Sequence, residues 1–293
     1  MSEHDGLDVG IVSYRSRRLL EACLESLREH APSRPMRVIV VDNDSRDGTV
    51  EMVRGLPGVE LVEARRNLGF AAATNLAIRL GDGRYFLALN PDTRLRAGTL
   101  DRLLELMDED ERIGICGCRL EREDGSFDHA ARRAFPTPLG ALAHFTGVGR
   151  HPGAPAALAQ YRAPHVERGP VDAVSGAFML VRRSALNDVG LFDEGYWLYM
   201  EDLDLCYRFA GAGWVTWYEP SVGATHVKGG TSGRNRGLVV NYAFHHGMYR
   251  FYHRYYAPAR SPVINIAVYV AIAAKFAGAA ARSAFNRRLL RRT

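Results

Sequence analysis

Cysteine is scarce. Four residues, Cys23, Cys116, Cys118 and Cys206, are spread over 293 positions. Their spacing forms neither a disulfide framework nor a zinc pattern, which argues against a stapled secreted scaffold and a zinc module. Cys116 and Cys118 lie in an apolar, strand-like run with both side chains on one side, and read as buried, inert thiols. A reducing cytoplasm fits this usage. The start of the chain, Met1 to Asp8, is polar and acidic and lacks the apolar stretch of a signal peptide. There is no internal repeat. The loop after the first strand, Val12-Ser13-Tyr14-Arg15-Ser16, contains no glycine.

What is present is ordinary globular composition, 47% hydrophobic and 24% charged, with net charge +5. That is enough for one large domain, or one domain with an extension. The extension is expected at 238–293, behind a domain at 1–237. Within it, Val239 to Tyr256 reads as an aromatic helix and Val263 to Ala281 as a second, apolar one. The latter has the length of a membrane span, about 20 residues. Lys275 would be costly at mid-bilayer, however, and Ala and Gly dominate the second half. Arg282, Arg287, Arg288, Arg291 and Arg292 crowd the end. An interfacial helix with its arginines on anionic lipid is the expectation. A packing helix in a homodimer, or a solvated tail, is the alternative. No nucleic-acid partner is expected.

Apolar runs and helical periodicity alternate from Leu7 onward. Strands are expected at Leu7 to Val12, Val38 to Val41, Val59 to Val62, Tyr85 to Leu89 and Ile113 to Cys118. Helices are expected at Leu19 to Leu27, Thr49 to Val53, Ala71 to Leu80 and Leu100 to Met107. Ser16 can cap the first helix. This alternation predicts an α/β fold with right-handed crossovers and a mostly parallel central sheet flanked by helices. Gly125 to Arg168 lacks periodicity and reads as a long excursion over the active face. A strand-like run, Val171 to Arg182, a short helix, a helix from Glu201 and a late strand, Trp214 to Tyr218, follow. Thr225 to Gly230 reads as a loop.

The chemistry gathers where strands end, since open α/β sheets bind ligands at their carboxyl edge. Asp42, Asn43 and Asp44 follow the second strand. A carboxylate there can accept a pyrimidine N–H or hold ribose hydroxyls, and it can equally cap the next helix. Asn90-Pro91-Asp92 ends the fourth strand, because proline cannot continue the ladder. It is a turn sequence, and also a candidate site for Mg²⁺ or Mn²⁺, which favour oxygen ligands and substrate phosphates. Glu201, Asp202 and Asp204 open a helix, which the dipole favours. One of them near a hydroxyl could serve as a general base. The aromatic run Tyr196 to Tyr199, with Trp197, precedes them and can wall a sugar ring. His226, beside Lys228, could complete a metal shell. His129, His144, His151, His165, His245, His246 and His253 read as ordinary surface or core residues.

Taken together these stretches resemble glycosyltransferase family 2, the inverting enzymes of GT-A fold, over about Leu7 to Gly230. Val12-Ser13-Tyr14 is similar to the family opening, and Val40 to Thr49 to its nucleotide-binding segment. Arg66-Asn67-Leu68-Gly69-Phe70-Ala71, with Asn75, resembles the following nucleotide-side turn. Asn90-Pro91-Asp92 takes the place of the metal-binding Asp-x-Asp. Its first position is a neutral Asn, which leaves most of the metal binding to Asp92. Glu201-Asp202 matches the acidic pair whose Asp is taken as the base, and His226 the metal-contacting histidine. The resemblance therefore implies that Ser13, Tyr14, Asp42, Asn43, Asp44, Asn67, Gly69, Phe70, Asn75 and Asn90 hold the donor. Ser175, Gly176 and Trp197 are expected to meet the acceptor.

Leu89 to Thr93, Val174 to Arg183 and Tyr199 to Leu205 are similar to bacterial rhamnosyltransferases. That subgroup implies dTDP-L-rhamnose as donor and a cell-surface polysaccharide or polyprenyl-diphosphate-linked acceptor. It also implies a place at the cytoplasmic face of the bacterial membrane, or in the cytoplasm. UDP- and GDP-linked donors stay open, since no residue separates them by chemistry alone. A binding protein without catalysis would not need Glu201-Asp202. A nucleotidyltransferase would carry glycines after the first strand.

Overall fold

The computed structural model describes residues 4–136, 167–227 and 237–290. Most of the excursion expected at Gly125 to Arg168, with His144, His151 and His165, lies outside them. So do Lys228, Gly229 and Gly230, and the arginines Arg291 and Arg292.

Strand and helix alternate through the first half as their patterning requires. β1 (His4–Ser13), α1 (Arg17–Glu29), β2 (Met36–Asp42), α2 (Thr49–Arg54), β3 (Val59–Glu63), α3 (Phe70–Leu80) and β4 (Gly83–Leu89) lead to β5 (Thr93–Leu95), α4 (Thr99–Glu109) and β6 (Ile113–Glu121). The second half holds β7 (Arg132–Arg133), β8 (Gly169–Pro170), β9 (Ala173–Val174), β10 (Phe178–Arg182), α5 (Arg183–Val189), α6 (Glu201–Gly211) and β11 (Val215–His226). It ends with α7 (Leu238–Tyr255) and α8 (Pro262–Leu290).

The main sheet runs in the order β3-β2-β1-β4-β10-β6-β11-β5. β3, β2, β1 and β4 are parallel, as are β6 and β11. β10 lies antiparallel between β4 and β6. Val38 to Val41 is buried throughout, as a parallel strand covered on both faces must be. On one face Leu20, Cys23, Leu24 and Leu27 of α1, at i, i+3, i+4 and i+7, join Leu103 and Met107 of α4 over the strands. On the other, Ala73 and Ala77 of α3, Leu186 of α5 and Phe209 of α6 cover Phe86, Ala88 and Ile39. All four cysteines are buried and free, and burial pushes their thiols up, so none is a nucleophile.

The parallel register gathers the ends of three strands on one edge. Ser13 pairs with Asp42 and Ile11 with Leu89. The antiparallel β10 begins at this edge, with Phe178 opposite Leu89.

Several expectations need correction. Val171 to Arg182 is not one strand. It breaks at Ser175-Gly176, where Phe178 N–H returns to Ser175 O at 3.1 Å, and β9 leaves the main sheet to pair with β7. His226 is not in a loop but ends β11, because the strand continues far enough to pair His226 with Thr93 of β5. Ser16 does not cap α1, since its hydroxyl is shared with that of Ser13 at 2.9 Å. The apolar helix at the end of the chain also runs beyond Ala281, to Leu290.

Candidate active site

Asp42 is buried at the end of β2, where its Oδ2 accepts the Ser45 N–H at 2.9 Å. Its Oδ1 has no hydrogen-bond partner among the described residues. A buried carboxylate oxygen left this way loses free energy unless something reaches it, which suits a ligand group. Asp44 beside it has φ +67° and Arg15 across the edge φ +52°, left-handed conformations that concentrate at functional turns. Asp47 accepts from the Thr49 N–H and hydroxyl, while Gly48 stands at the N-cap of α2 and no side chain caps it.

Asn43 is also buried, but its amide serves the fold. Nδ2 donates to Gly69 O at 3.0 Å and Oδ1 accepts the Leu68 N–H at 3.2 Å. This pins the 67–70 turn to the end of β2. Asn67 closes the same turn by accepting the Gly69 N–H at 2.9 Å. Gly69 has φ +84°, and a Cβ there would stand 2.2 Å from Trp197 O, so only glycine fits. The next N–H, of Phe70, donates to that carbonyl at 2.7 Å. The turn implied for the donor is thus sewn to the aromatic run implied for the acceptor. Asn75 does not reach the site: its amide is spent on the Phe192 backbone and Glu194. A concavity of 380 Å³ opens beside Asn67 on the outer flank of α3, between Arg66, Leu76, Arg79 and Glu194. None of the candidate acids lines it.

Asp92 follows β4 and is buried, held by backbone bonds on both sides. Asn90 N–H donates to Ala177 O at 3.0 Å, and Val227 N–H to Asp92 O at 2.8 Å. The second of these, with the His226–Thr93 pairing, brings the His226 ring to Asp92, Nε2 lying 3.5 Å from Oδ1. The other ring nitrogen meets Asp128 Oδ2 at 2.9 Å. Burial alone would lower the His226 pKa, but hydrogen bonds to Asp128, then Asp92, overcome it and hold the pKa up at about 9. An imidazole nitrogen and a carboxylate oxygen this close suit two adjacent positions on one divalent ion, about 3 Å apart at 2.0–2.1 Å bond lengths. Among the described residues no group of three His, Cys, Asp or Glu closes a full cage. The donor set therefore fits an ion completed by phosphate and water rather than one held by protein alone.

Glu201 and Asp202 begin α6, behind Tyr199 and Met200, whose φ values are +70° and +74°. Asp202 Oδ2 accepts the Gly176 N–H at 2.9 Å and Arg133 Nη2 at 2.6 Å, and Oδ1 accepts the Leu203 N–H at 2.7 Å. A carboxylate has about four lone-pair sites, so Oδ1 keeps room for a proton. Glu201 is different. Burial, then the Asp202 charge, pushes its carboxyl well above the usual carboxylate range. Of the pair, Asp202 keeps an open acceptor position on Oδ1, which suits a base. Ser175 Oγ accepts the Ala177 N–H at 3.2 Å, shaping the turn that offers Gly176. The Phe70 ring lies 3.5 Å from where a Gly176 Cβ would be, closing the contact between the two sides.

At the strand ends Ser13 thus pairs with Asp42, Asn43 with the 67–70 turn, that turn with Trp197, Ala177 with Asn90, Asp92 with His226, and Gly176 with Asp202. Sequence reasoning missed Asp128 and Arg133, which grip His226 and Asp202. Asp204, named with the acids, instead pairs with Arg208 and accepts from Tyr255 inside the fold.

Residues 8–190 match the Glycosyl transferase family 2 profile. The chain is 36% identical over 245 residues to the N-acetylglucosaminyl-diphospho-decaprenol L-rhamnosyltransferase of Mycobacterium tuberculosis, covering 79% of each. It is 27% identical over 224 residues to Rhamnosyltransferase WbbL of Escherichia coli K12, covering 74% of this chain and 81% of that one. Among solved structures it resembles the mannosyltransferase PcManGT from Pyrobaculum calidifontis in complex with GDP-Man and Mn²⁺. That match has a TM-score of 0.59 at 18% identity, over 95% of this chain and 72% of the other. The chain belongs to glycosyltransferase family 2 and is a glycosyltransferase of GT-A fold.

Proposed function

We propose that this enzyme transfers L-rhamnose from dTDP-L-rhamnose to a sugar carried on a polyprenyl diphosphate, with inversion at the anomeric carbon. The observation that carries the reading is the Asp202 carboxylate, fixed by Gly176 and Arg133, with Asp42 at the end of β2 and Asp92 just after β4. The sugar and acceptor classes are supported by the Mycobacterium tuberculosis relative, whose name gives both. Asp42, Ser13 and the backbone of the 67–70 turn would hold the nucleotide. Asp202 Oδ1 would take the proton of the acceptor hydroxyl as its oxygen attacks from the face opposite the diphosphate, so that no sugar–enzyme bond forms.

Asp92 and His226 would hold Mg²⁺ or Mn²⁺ against the donor diphosphate. Such an ion, when bound, neutralises charge on the departing nucleotide. Residues 1–237 would form the catalytic domain. Residues 238–293 would rest on the cytoplasmic face of the membrane that holds the lipid acceptor, with a homodimer contact as the competing use of the same helices.

The test is Asp202→Asn. Transfer should fall on the order of 10³-fold, within the range for loss of a general base, while dTDP binding by calorimetry stays within about twofold on the same argument. Near-normal turnover would reassign the base. Running UDP- and GDP-sugars beside dTDP-L-rhamnose fixes the donor. Release of dTDP with a rhamnosylated acceptor, rather than pyrophosphate, confirms group transfer to the acceptor.

A further inference from the structure

We propose that Asp128 is the positioning residue of the metal side of the site. Its carboxylate fixes the tautomer and ring plane of His226, so that Nε2 is aimed at Asp92. This rests on the reading that Asp92 and His226 together hold a divalent cation.

Asp128 is fully buried in a turn that folds back on β6. Its backbone N–H donates to Leu120 O at 2.9 Å, its carbonyl accepts the Ala131 N–H at 2.9 Å, and its Oδ1 accepts the Ala130 N–H at 3.1 Å. The carboxylate is thereby immobilised, and Oδ2 is presented to His226 Nδ1 at 2.9 Å. The two ring nitrogens of a histidine are not equivalent, because the one hydrogen-bonded to a carboxylate keeps its proton and the other is left to bind. That other nitrogen, Nε2, faces the Asp92 carboxylate at 3.5 Å. Metal-binding histidines almost always give their second N–H to a carboxylate, carbonyl or water, which locks ring orientation and raises ligand basicity. Nε2 facing a buried carboxylate suits an ion pair as well as a metal site, and Mn²⁺ affinity separates the two.

The experiment measures Mn²⁺ affinity at saturating dTDP, counting free ion by electron paramagnetic resonance. It compares the parent with Asp128→Asn, His226→Gln, their double variant and Asp92→Asn. Asp128→Asn should bind Mn²⁺ 10- to 100-fold more weakly. The double variant should be no worse than His226→Gln alone, because Asp128 acts only through the ring. An Asp128→Asn affinity equal to the parent's, or losses that simply add, overturns the inference. If Asp92→Asn also leaves Mn²⁺ affinity intact, the cation reading itself falls and takes this one with it. A silent Asp128→Asn beside a damaging Asp92→Asn sinks only the present inference. Should Asp128→Asn fail to fold, the ¹⁵N shifts of the His226 ring in the parent with Mg²⁺ and dTDP decide. A ring protonated on Nδ1 alone supports the proposal, and one that carries a proton on Nε2 overturns it.

Discussion

At the scale of single residues, the least expected contact is Arg133 on Asp202. A guanidinium paired with the carboxylate proposed as base must act on where that carboxylate points. It earns its place by geometry, since Nη2 bonds both Asp202 Oδ2 at 2.6 Å and Val174 O at 2.9 Å, tying the carboxylate to the backbone of β9. Small displacements of a reacting group can cost about 10²-fold in rate. Arg133→Met is therefore expected to lower kcat on the order of 10²-fold while leaving the KM for the donor within about twofold. Arg133→Lys should recover only part, because an ammonium cannot bridge two acceptors in a fixed plane. Steady-state kinetics at varied donor checks this, and a rise in donor KM with kcat unchanged would move Arg133 to the donor side. Asp42, Asp92 and Asp202 were legible as candidates because each announces itself locally, after an apolar run or at a helix start. Arg133 and Asp128 were not. Their partners lie 69 and 98 positions away, beyond any local pattern.

At the scale of elements, most strands and helices were read from apolar runs and period, with ends displaced by a few residues. The informative failure is Val171 to Arg182. An apolar run with Ser-Gly in its middle looks like one strand, yet the turn at Ser175-Gly176 is what frees the Gly176 N–H for Asp202. A periodic pattern carries no sign of such a break, because its cause is a contact with α6. Asn75 misled in the opposite sense: a motif residue by position, it staples α3 to the turn before Trp197.

The docking of α7 is a second element-level feature with a consequence. Asp193 takes Arg250 at 2.8 Å and Arg254 at 2.7 Å, beside the buried Phe251. Burial would raise the Asp193 pKa, but the Arg250 hydrogen bond, with Gly195 and Arg254, outweighs it and holds the carboxyl below its ordinary range. A depressed folded-state pKa gives stability that is present above the unfolded value, about 3.9. That stability is lost as pH falls through the folded value. Asp193→Asn should therefore cost about 1.5–3 kcal/mol at pH 7, the range for hydrogen bonds to charged groups. The gap in Tm between parent and variant should stay constant from pH 7 to 5 and close in stronger acid. A gap that persists unchanged below the folded value would assign the loss to packing instead.

At the scale of the whole molecule, charge and greasiness are divided. Residues 237–293 carry nine Arg and Lys and no Asp or Glu, so a chain of net charge +5 is net −4 without them. Among the described residues one helix, Pro262–Ala284, is long and apolar enough to cross a membrane, with mean hydropathy 1.8. One side of α8 is committed inward. Asn265 accepts from Tyr252, Tyr269 packs on Tyr249 and Tyr252, Phe276 on Tyr242 and His245, and Asn241 donates to Ser283. The other side is bare, with Val263 77%, Ile266 61% and Val270 61% exposed. A helix clamped along one stripe and apolar along the other suits burial in an interface plane better than passage through the bilayer. Basic residues near an anionic surface add about 1 kcal/mol each, falling off within a Debye length. The full chain should therefore sediment with phosphatidylglycerol-containing vesicles, less so with neutral ones, and less as salt rises. The triple variant Val263→Glu, Ile266→Glu, Val270→Glu should lose that binding while keeping the parent's Tm, since none of the three side chains is committed to the α7 seam. If instead the parent ignores vesicles and runs as a dimer that the same triple variant splits, the bare stripe is a subunit contact and the membrane assignment is wrong.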